Sequence, residues 1–385
     1  MIPYGRQDIL QEDIDAVIEV LKSDYLTQGP TVPAFEEAIA SKFSAQHAVA
    51  VNSATSALHI SCLALELSPG DILWTTANTF VASANCGRYC GASVDFVDID
   101  PQSFNLCPKH LKNKLKIAAE KNVIPKVLVT THLCGLPCEM KEINLVCKKY
   151  GIKIIEDASH AIGSKYKDAY IGNCKYSDIT IFSFHPVKII TTGEGGIALT
   201  NDPNLAFKMQ LFRSHGITKQ ADMMINKSDG AWYYEQQELG FNYRMTDIQA
   251  ALGLSQLNRL DAYIEKRHIL ASYYDQHLSD LPISPQKRLP HCYSSIHLYV
   301  IRLHLEKISI SHKDFFEYMI DSGIGVNLHY IPVHMHPYYQ KLGFQKGNFP
   351  EAEAYYASAI SLPMYPNLSI QDQNYIIEII TKALS

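Results

Sequence analysis

Short apolar runs alternate with longer helical stretches over the first two hundred residues of the chain. An amphipathic helix comes first, with Ile14, Val17, Ile18 and Leu21 at helical spacing. The apolar runs follow at residues 47–51, 71–75, 94–97, 126–130, 152–155, 178–182 and 196–199. This alternation predicts an α/β fold with a mostly parallel sheet, in which ligands bind beyond the carboxyl ends of the strands.

The pattern changes near residue 250, where a long helical stretch from about residue 246 to about residue 278 begins. The segment Leu281-Pro282-Ile283-Ser284-Pro285 follows it and is suited to a hinge. A chain of 385 residues is also too long for one ordinary core. We therefore predict an N-terminal arm and large domain over residues 1–250, followed by a connecting helix and a smaller α/β domain over residues 251–385.

Composition and charge exclude several classes of protein. Apolar residues make up 47% of the chain and charged residues 19%, which is typical of a globular protein. The net charge is −5, and the basic residues form no stripe, so we expect no nucleic-acid partner. Neither a signal peptide nor an apolar run of membrane-spanning length is present, so we expect a cytoplasmic protein without a membrane partner.

Cysteine and histidine are frequent, yet their spacing does not predict a metal site. The nine cysteines include the pairs Cys86/Cys90 and Cys134/Cys138, which lack CxxC spacing, so we predict free thiols and no metal. The sixteen histidines are dispersed, apart from His329, His334 and His336. We interpret those three as part of a pocket rim.

The residues after the first apolar run form a candidate phosphate site. Asn52-Ser53-Ala54-Thr55-Ser56-Ala57 precedes a helical segment, and the free N–H groups at a helix start bind anions. The same residues also suit an ordinary helix cap, so this segment leaves both interpretations open.

A pair of acids follows the fifth apolar run, at Glu156 and Asp157. A carboxylate at a strand end can keep a pyridine nitrogen protonated, as pyridoxal phosphate (PLP) requires. An aspartate that caps the next segment is an equal alternative.

Lys188 follows the sixth run, with Ser183 five residues earlier and a glycine-rich turn after it. A lone lysine is ordinarily a solvated surface charge. This one, however, comes after the candidate phosphate segment and the aspartate, and its flanking serine and glycine-rich turn suit a Schiff base beside a phosphate. The three segments together indicate a PLP enzyme.

With further motifs, these segments resemble the DegT/StrS-type sugar aminotransferases. The additional motifs are Thr76-Ala77-Asn78-Thr79-Phe80-Val81-Ala82-Ser83-Ala84-Asn85, His132-Leu133-Cys134-Gly135-Leu136-Pro137 and Gly240-Phe241-Asn242-Tyr243-Arg244-Met245-Thr246-Asp247. The likeness runs from Tyr4 to about residue 363. It implies the α/β fold type I of PLP-dependent transferases.

The resemblance assigns roles to residues around the cofactor. Lys188 would carry PLP as a Schiff base and move the proton during transfer, and Asp157 would pair with the pyridinium nitrogen. Phe80 would stack on the ring, although a core phenylalanine is the competing interpretation. The phosphate contacts would be Ala54, Thr55, Ser183 and Asn242, and His160 and His185 would line the site. In the family, the asparagine at the position of Asn242 comes from a second subunit, which implies a homodimer with shared active sites.

The resemblance also implies the substrates. We expect an amino acid donor, glutamate, and a UDP-linked 4-keto sugar as acceptor. The predicted substrate contacts are Tyr4, Asp24, Tyr25, Leu26, Thr27, Ala54, Ser183, Asn242, Leu328, His329, Tyr330 and Ile331. Asp24 is unexpected beside a diphosphate, because its negative charge would repel the phosphates unless the carboxylate faces sugar hydroxyls.

Three other functions are less consistent with the sequence. The dehydratase branch of the family replaces the Schiff-base lysine with histidine, whereas this chain has Lys188. A regulatory PLP-binding protein ordinarily carries a DNA-binding module, and we expect no room for one before Tyr4. An NAD-dependent enzyme would carry GxGxxG after its first strand, where this chain has Asn52-Ser53-Ala54-Thr55.

Overall fold

The computed structural model describes residues 1–384, so the last residue of the predicted small domain, Ser385, lies outside it. The strands are β1 (His47–Val51), β2 (Ile72–Thr76), β3 (Ser93–Val97), β4 (Val127–Thr131), β5 (Lys153–Asp157), β6 (Lys165–Tyr166), β7 (Ala169–Tyr170), β8 (Ile179–Ser183), β9 (Gly196–Thr200), β10 (Ile217–Thr218), β11 (Glu235–Gln236), β12 (Ile283–Pro285), β13 (Cys292–Tyr293), β14 (Tyr299–Leu303) and β15 (Ala359–Leu362). The α-helices are α1 (Gln11–Lys22), α2 (Thr31–Phe43), α3 (Ala54–Ala64), α4 (Ala82–Tyr89), α5 (Pro108–Glu120), α6 (Met140–Lys149), α7 (Pro203–Arg213), α8 (Asp247–Leu257), α9 (Leu260–His277), α10 (His312–Asp321), α11 (Pro337–Gln340), α12 (Pro350–Tyr356) and α13 (Ile370–Leu384).

A seven-stranded sheet in the order β1-β9-β8-β5-β4-β2-β3 confirms the predicted α/β fold. Strands β8, β5, β4, β2 and β3 pair in parallel, whereas β9 runs antiparallel to both of its neighbours. The strands correspond to the seven apolar runs because a sheet covered on both faces buries nearly every strand residue. Asp157 pairs with Thr131 on one side and Ile181 on the other, so the carboxyl ends of β4 and β5 meet beside β8.

Helices cover both faces of this sheet and create two apolar cores. Phe35, Ile39 and Phe43 of α2 pack into one core, and Leu58 and Ile60 of α3 pack into the other. Because α3 follows β1 directly, its first turn is fixed at the edge of the sheet where the strands' carboxyl ends lie.

A second sheet, in the order β12-β14-β15, packs with α9, α10 and α13 around a third core. The N-terminal arm joins this part of the molecule. Ile2 N donates to Gly323 O at 2.8 Å, and Gly325 N donates to Ile2 O at 2.7 Å. Met364 N then donates to Tyr4 O at 3.0 Å, which fixes Tyr4 beside the loop that follows residue 325.

Two expectations from the sequence differ from the structure. The predicted long helix is two helices, α8 and α9, separated at Asn258 and Arg259. The predicted histidine rim is only partly formed. His334 is buried against the Phe96 and Phe349 rings, and its Nε2 lies 2.9 Å from Glu353 Oε1.

All nine cysteines, which lie between residues 62 and 292, are free thiols, as predicted. Among residues 1–384, no group of histidine, cysteine or acidic side chains has the arrangement of a metal site. No helix formed by those residues combines the length and apolar character that a membrane span needs.

Candidate active site

A cavity of about 900 Å³ opens at the carboxyl ends of the central strands. It brings together most of the residues that the sequence predicts for the cofactor and part of those predicted for the substrate. These are Tyr4, Ala54, Thr55, Phe80, Asp157, His160, Ser183, His185, Lys188, Leu328, His329 and Tyr330. The cavity also lies between the two sheets, because Tyr4 and the 328–330 loop form its outer wall.

One end of the cavity is the start of α3. Ser53 caps the helix, and its hydroxyl accepts from Ser56 N at 3.1 Å. The N–H groups of Ala54 and Thr55 precede the first helical hydrogen bond, and no acceptor for them occurs within residues 1–384. Together with the helix dipole, these groups form an anion site. The cap and the phosphate site are therefore compatible uses of the same turn.

Gly196 allows this turn to approach the sheet. Gly196 opens β9 and pairs with Ser183 at the end of β8. A Cβ at Gly196 would lie 2.4 Å from Ala54 N, closer than any side chain tolerates. The absence of a side chain therefore brings the start of α3 beside the Ser183 hydroxyl, which can add a further donor to the anion site.

Asp157 lies at the end of β5 and is held by two serines. Ser83 Oγ donates to Asp157 Oδ2 at 2.5 Å, and Ser159 Oγ donates to Oδ1 at 2.6 Å. Thr79 Oγ1 lies 2.9 Å from Ser83 Oγ and 2.8 Å from Thr131 Oγ1. This hydroxyl network fixes the orientation of a carboxylate that is nearly fully buried.

Lys188 follows β8, is half-buried and lines the same cavity. Burial lowers the pKa of Lys188 to about 8, although the negative charge of Asp157 acts in the opposite direction. Within the described chain, no carboxylate lies within 4 Å of its Nζ. An amine of lowered pKa without an ion-pair partner is suited to nucleophilic attack and to proton transfer.

Phe80 is exposed, which excludes the core interpretation. Its side chain is 54% accessible and faces the cavity. The ring centroid of Tyr330 lies 5.7 Å away, and the two aromatic side chains line the same space. An apolar ring that faces a cavity can cover a bound heterocycle.

Three buried histidines surround this region. Burial lowers the pKa of His160 and of His297, and it lowers the pKa of His329 to about 3. The positive charge of Lys188 shifts all three in the same direction. These side chains are therefore neutral at physiological pH. His185 differs from them, because it is exposed, with its Nε2 3.9 Å from Glu194 Oε1.

Some predicted residues lie outside the cavity of the single chain. Asn242 is exposed and bridges to Ser214, and residues 24–27 are exposed beside Thr246. Ile331 is 42% accessible and follows the loop that lines the cavity. Their assignments to cofactor and substrate stay predictions.

Other residues of the site had no assigned role in the sequence. Ser83 and Thr79 lie within the 76–85 motif, so the motif itself was the available signal for them. Gln249 and Asn327 also line the cavity, but as isolated amides they carried no signal.

The donor set fits PLP. A phosphorylated pyridine aldehyde needs an anion site, a carboxylate for its ring nitrogen, an amine for its aldehyde carbon and a cover for its ring. The start of α3, Asp157, Lys188 and Phe80 supply these four groups around one cavity.

Comparison with known proteins gives the same result. Residues 7–381 match the model of the DegT/DnrJ/EryC1/StrS aminotransferase family. The chain is 38% identical to the UDP-4-amino-4,6-dideoxy-N-acetyl-beta-L-altrosamine transaminase of Campylobacter jejuni strain 81-176, over 98% of this chain and 96% of the relative.

Two solved structures are similar over the whole chain. Helicobacter pylori PseC, described as an aminotransferase involved in the biosynthesis of pseudoaminic acid, has a TM-score of 0.90 and 34% identity, covering 100% of this chain and 99% of PseC. The PLP form of the Streptococcus pneumoniae sugar aminotransferase Spr1654 has a TM-score of 0.88 and 30% identity, with full coverage of both chains. The protein thus belongs to the DegT/DnrJ/EryC1/StrS family and is a PLP-dependent sugar aminotransferase.

Proposed function

We propose that the enzyme transfers the amino group of L-glutamate to C4 of a UDP-linked 4-keto-6-deoxy-N-acetylhexosamine. The product would be UDP-4-amino-4,6-dideoxy-N-acetyl-β-L-altrosamine, a precursor of pseudaminic acid. The name of the C. jejuni relative and the description of H. pylori PseC support this sugar. The observation that carries the chemistry is the placement of Lys188 and Asp157 in one cavity beside the start of α3.

Lys188 is the proposed attachment point of PLP. When bound, the cofactor supplies an electron sink and carries the amino group between donor and acceptor. With a substrate bound, Lys188 Nζ would remain on this side of the cavity, within reach of the reacting carbons. A neutral amine there can remove a proton from one carbon and deliver it to the other.

Asp157 keeps the pyridine nitrogen protonated in this proposal, and the hydroxyls of Ser83 and Ser159 hold its carboxylate in place. Ala54, Thr55 and Ser183 hold the phosphate, and Phe80 covers the ring. His160 and His185 form parts of the wall. All of these groups except the buried Ser83 line the cavity described above.

The sugar nucleotide would enter between the two sheets. Tyr4, Leu328, His329 and Tyr330 line this side of the cavity, and Ile331 follows them. Asp24, Tyr25, Leu26, Thr27 and Asn242 are exposed in one chain. We propose that they complete the site of a neighbouring subunit in a homodimer, where Asn242 reaches the phosphate.

The test uses a panel of UDP- and dTDP-linked 4-keto-6-deoxy sugars with glutamate, with the products identified by NMR. Amination at C4 of the UDP-linked sugar is the expected result, whereas activity on dTDP sugars alone would contradict the proposed substrate. Borohydride treatment followed by peptide mass spectrometry should place the cofactor on Lys188. Lys188→Ala should be colourless beside a yellow wild type, and equal colour in both would contradict the assignment of Lys188.

A further inference from the structure

The His160 ring connects the backbone of one loop to the Tyr330 hydroxyl. Cys134 N lies 3.3 Å from His160 Nδ1, and His160 Nε2 lies 3.0 Å from Tyr330 Oη. His160 and Tyr330 line the cavity, whereas Cys134 is fully buried. This chain of contacts determines where the hydroxyl hydrogen of Tyr330 can point.

The first contact fixes the tautomer of His160. A backbone N–H can only donate, so Nδ1 must accept from Cys134, and the ring hydrogen resides on Nε2. Burial and the charge of Lys188 lower the pKa of His160, which keeps the ring neutral. His160 Nε2 therefore donates to Tyr330 Oη.

The second contact leaves Tyr330 as a donor. Its oxygen already accepts from His160, and burial raises the pKa of Tyr330, so the phenol keeps its hydrogen. Among residues 1–384, no other side-chain or backbone group bonds to this hydroxyl. The remaining hydrogen can be donated only to an acceptor inside the cavity.

The backbone around Tyr330 is also held in place. Tyr330 N donates to Asn78 Oδ1 at 3.1 Å, and Tyr355 Oη donates to His329 O at 2.7 Å. His329 Nδ1 lies 2.8 Å from Ser361 Oγ, which fixes the neighbouring side chain. A donor on a loop anchored at three points is preorganised for one position of its acceptor.

We propose that Tyr330 donates its hydroxyl hydrogen to an oxygen of the bound ligand, and that His160 is the positioning residue that directs this hydrogen into the cavity. The inference deepens the proposed function, since the acceptor is an oxygen either of the keto sugar or of the cofactor ring. Both oxygens offer the same chemistry to a phenol. The experiment below distinguishes them by separating the two half-reactions.

Tyr330→Phe removes the hydroxyl and keeps the ring against Phe80. The glutamate half-reaction is followed by the loss of yellow colour, and the sugar half-reaction by its return on addition of the nucleotide sugar that the wild type accepts. If the acceptor is an oxygen of the sugar, the rate of the sugar half-reaction should fall about tenfold while the glutamate half-reaction keeps its rate. A cofactor acceptor predicts a slower first step and a shifted pH titration of the visible absorbance.

Tyr274→Phe is the matched control, because Tyr274 is a buried tyrosine of the third core whose hydroxyl donates to Pro363 O. Binding of unreactive UDP-N-acetylglucosamine, measured by calorimetry, provides a readout that does not need turnover. Wild-type rates in both half-reactions of Tyr330→Phe, with an unchanged titration, would overturn the role of Tyr330. A wild type that aminates no UDP-linked keto sugar would instead contradict the proposed substrate.

The role of His160 is tested by a double-mutant cycle with His160→Phe. If His160 acts through Tyr330, the double variant should be no slower than Tyr330→Phe alone. His160→Gln, whose amide can donate to Tyr330, should recover part of the rate. A double variant whose loss equals the sum of the two single losses would overturn the positioning role and show that His160 acts independently of Tyr330.

Discussion

A Cβ on Gly196 would lie 2.4 Å from the backbone nitrogen of Ala54. Gly196→Ala should therefore push the start of α3 away from Ser183 and weaken cofactor binding roughly five- to hundredfold. Equilibrium dialysis of PLP against the apoenzyme measures this loss. Gly5→Ala is the control, since an added Cβ at Gly5 meets no atom within 4 Å and its backbone is outside the left-handed region. Equal affinity in the Gly196 variant and the wild type would show that the turn does not hold the phosphate.

Ser83 should affect cofactor binding and catalysis because it holds the Asp157 carboxylate in place. Ser83→Ala removes the 2.5 Å hydrogen bond to a buried carboxylate, a contact that contributes about 1.5–3 kcal/mol. We expect weaker cofactor retention and a lower kcat, measured by gel filtration with absorbance detection and by initial rates. Ser61→Ala is the control, because the Ser61 hydroxyl bonds to Ala57 O within its own helix. Loss of activity in the Ser61 variant alone would contradict this account.

The lowered pKa of Lys188 predicts the pH dependence of cofactor attachment. Only the neutral amine attacks an aldehyde, and the neutral fraction grows as pH rises through the pKa of about 8. The rate at which apoenzyme and PLP develop colour should therefore reach half of its maximum near pH 8. In Asp157→Asn the opposing negative charge is lost, so the midpoint should move to lower pH. A midpoint near 10.5, the ordinary value for lysine, would contradict the prediction.

The proposed homodimer with shared active sites predicts complementation between defective subunits. Lys188→Ala and Asn242→Ala each damage a different part of the active site if Asn242 acts in the neighbouring subunit. Mixed dimers should then contain one intact site and recover up to about a quarter to a half of wild-type activity. Initial rates of refolded mixtures are compared with those of each parent. Mixtures no more active than the better parent would argue against a crossing Asn242.

A buried pair at the ends of β4 and β5 should contribute to stability. His132 Nε2 lies 2.8 Å from Glu156 Oε2, and both side chains are nearly inaccessible. His132→Phe would remove the partner of Glu156 Oε2, while Ser177 and Thr180 still donate to Oε1. The loss should lower the free energy of unfolding by about 3 kcal/mol. Thermal unfolding measures the change. Lys382→Ala breaks the exposed pair with Glu378 and should leave Tm unaltered.

The sheet was predictable from the sequence because each strand is buried on both faces and reads as a continuous apolar run. The proximity of the start of α3, Asp157 and Lys188 was predictable because the carboxyl ends of the strands meet at one edge of the sheet. The contact between Gly196 and Ala54 was not, since the two residues are 142 positions apart and no local pattern links them. The role of Ser83 also depends on a contact between α4 and β5, whose two residues are 74 positions apart.

The position of the outer cavity wall was predicted only from the family resemblance. No pattern of apolar and polar positions around residues 328–330 predicts that they lie near Lys188. Their position depends on a backbone pair between Asn327 and Ser361 and on the packing of Tyr355. Such contacts form only when distant parts of the chain have folded together.

That wall is attached to both halves of the molecule. Val333 and Tyr355 pack into a core of the central sheet, while Asn327 pairs with β15 of the second sheet. A rigid rotation of one sheet against the other would have to break these contacts. We therefore expect ligands to enter and leave through movements of the Tyr4 and Phe80 side chains and of the exposed loops. The rate of exchange should follow these local motions and not a closure of the two sheets against each other.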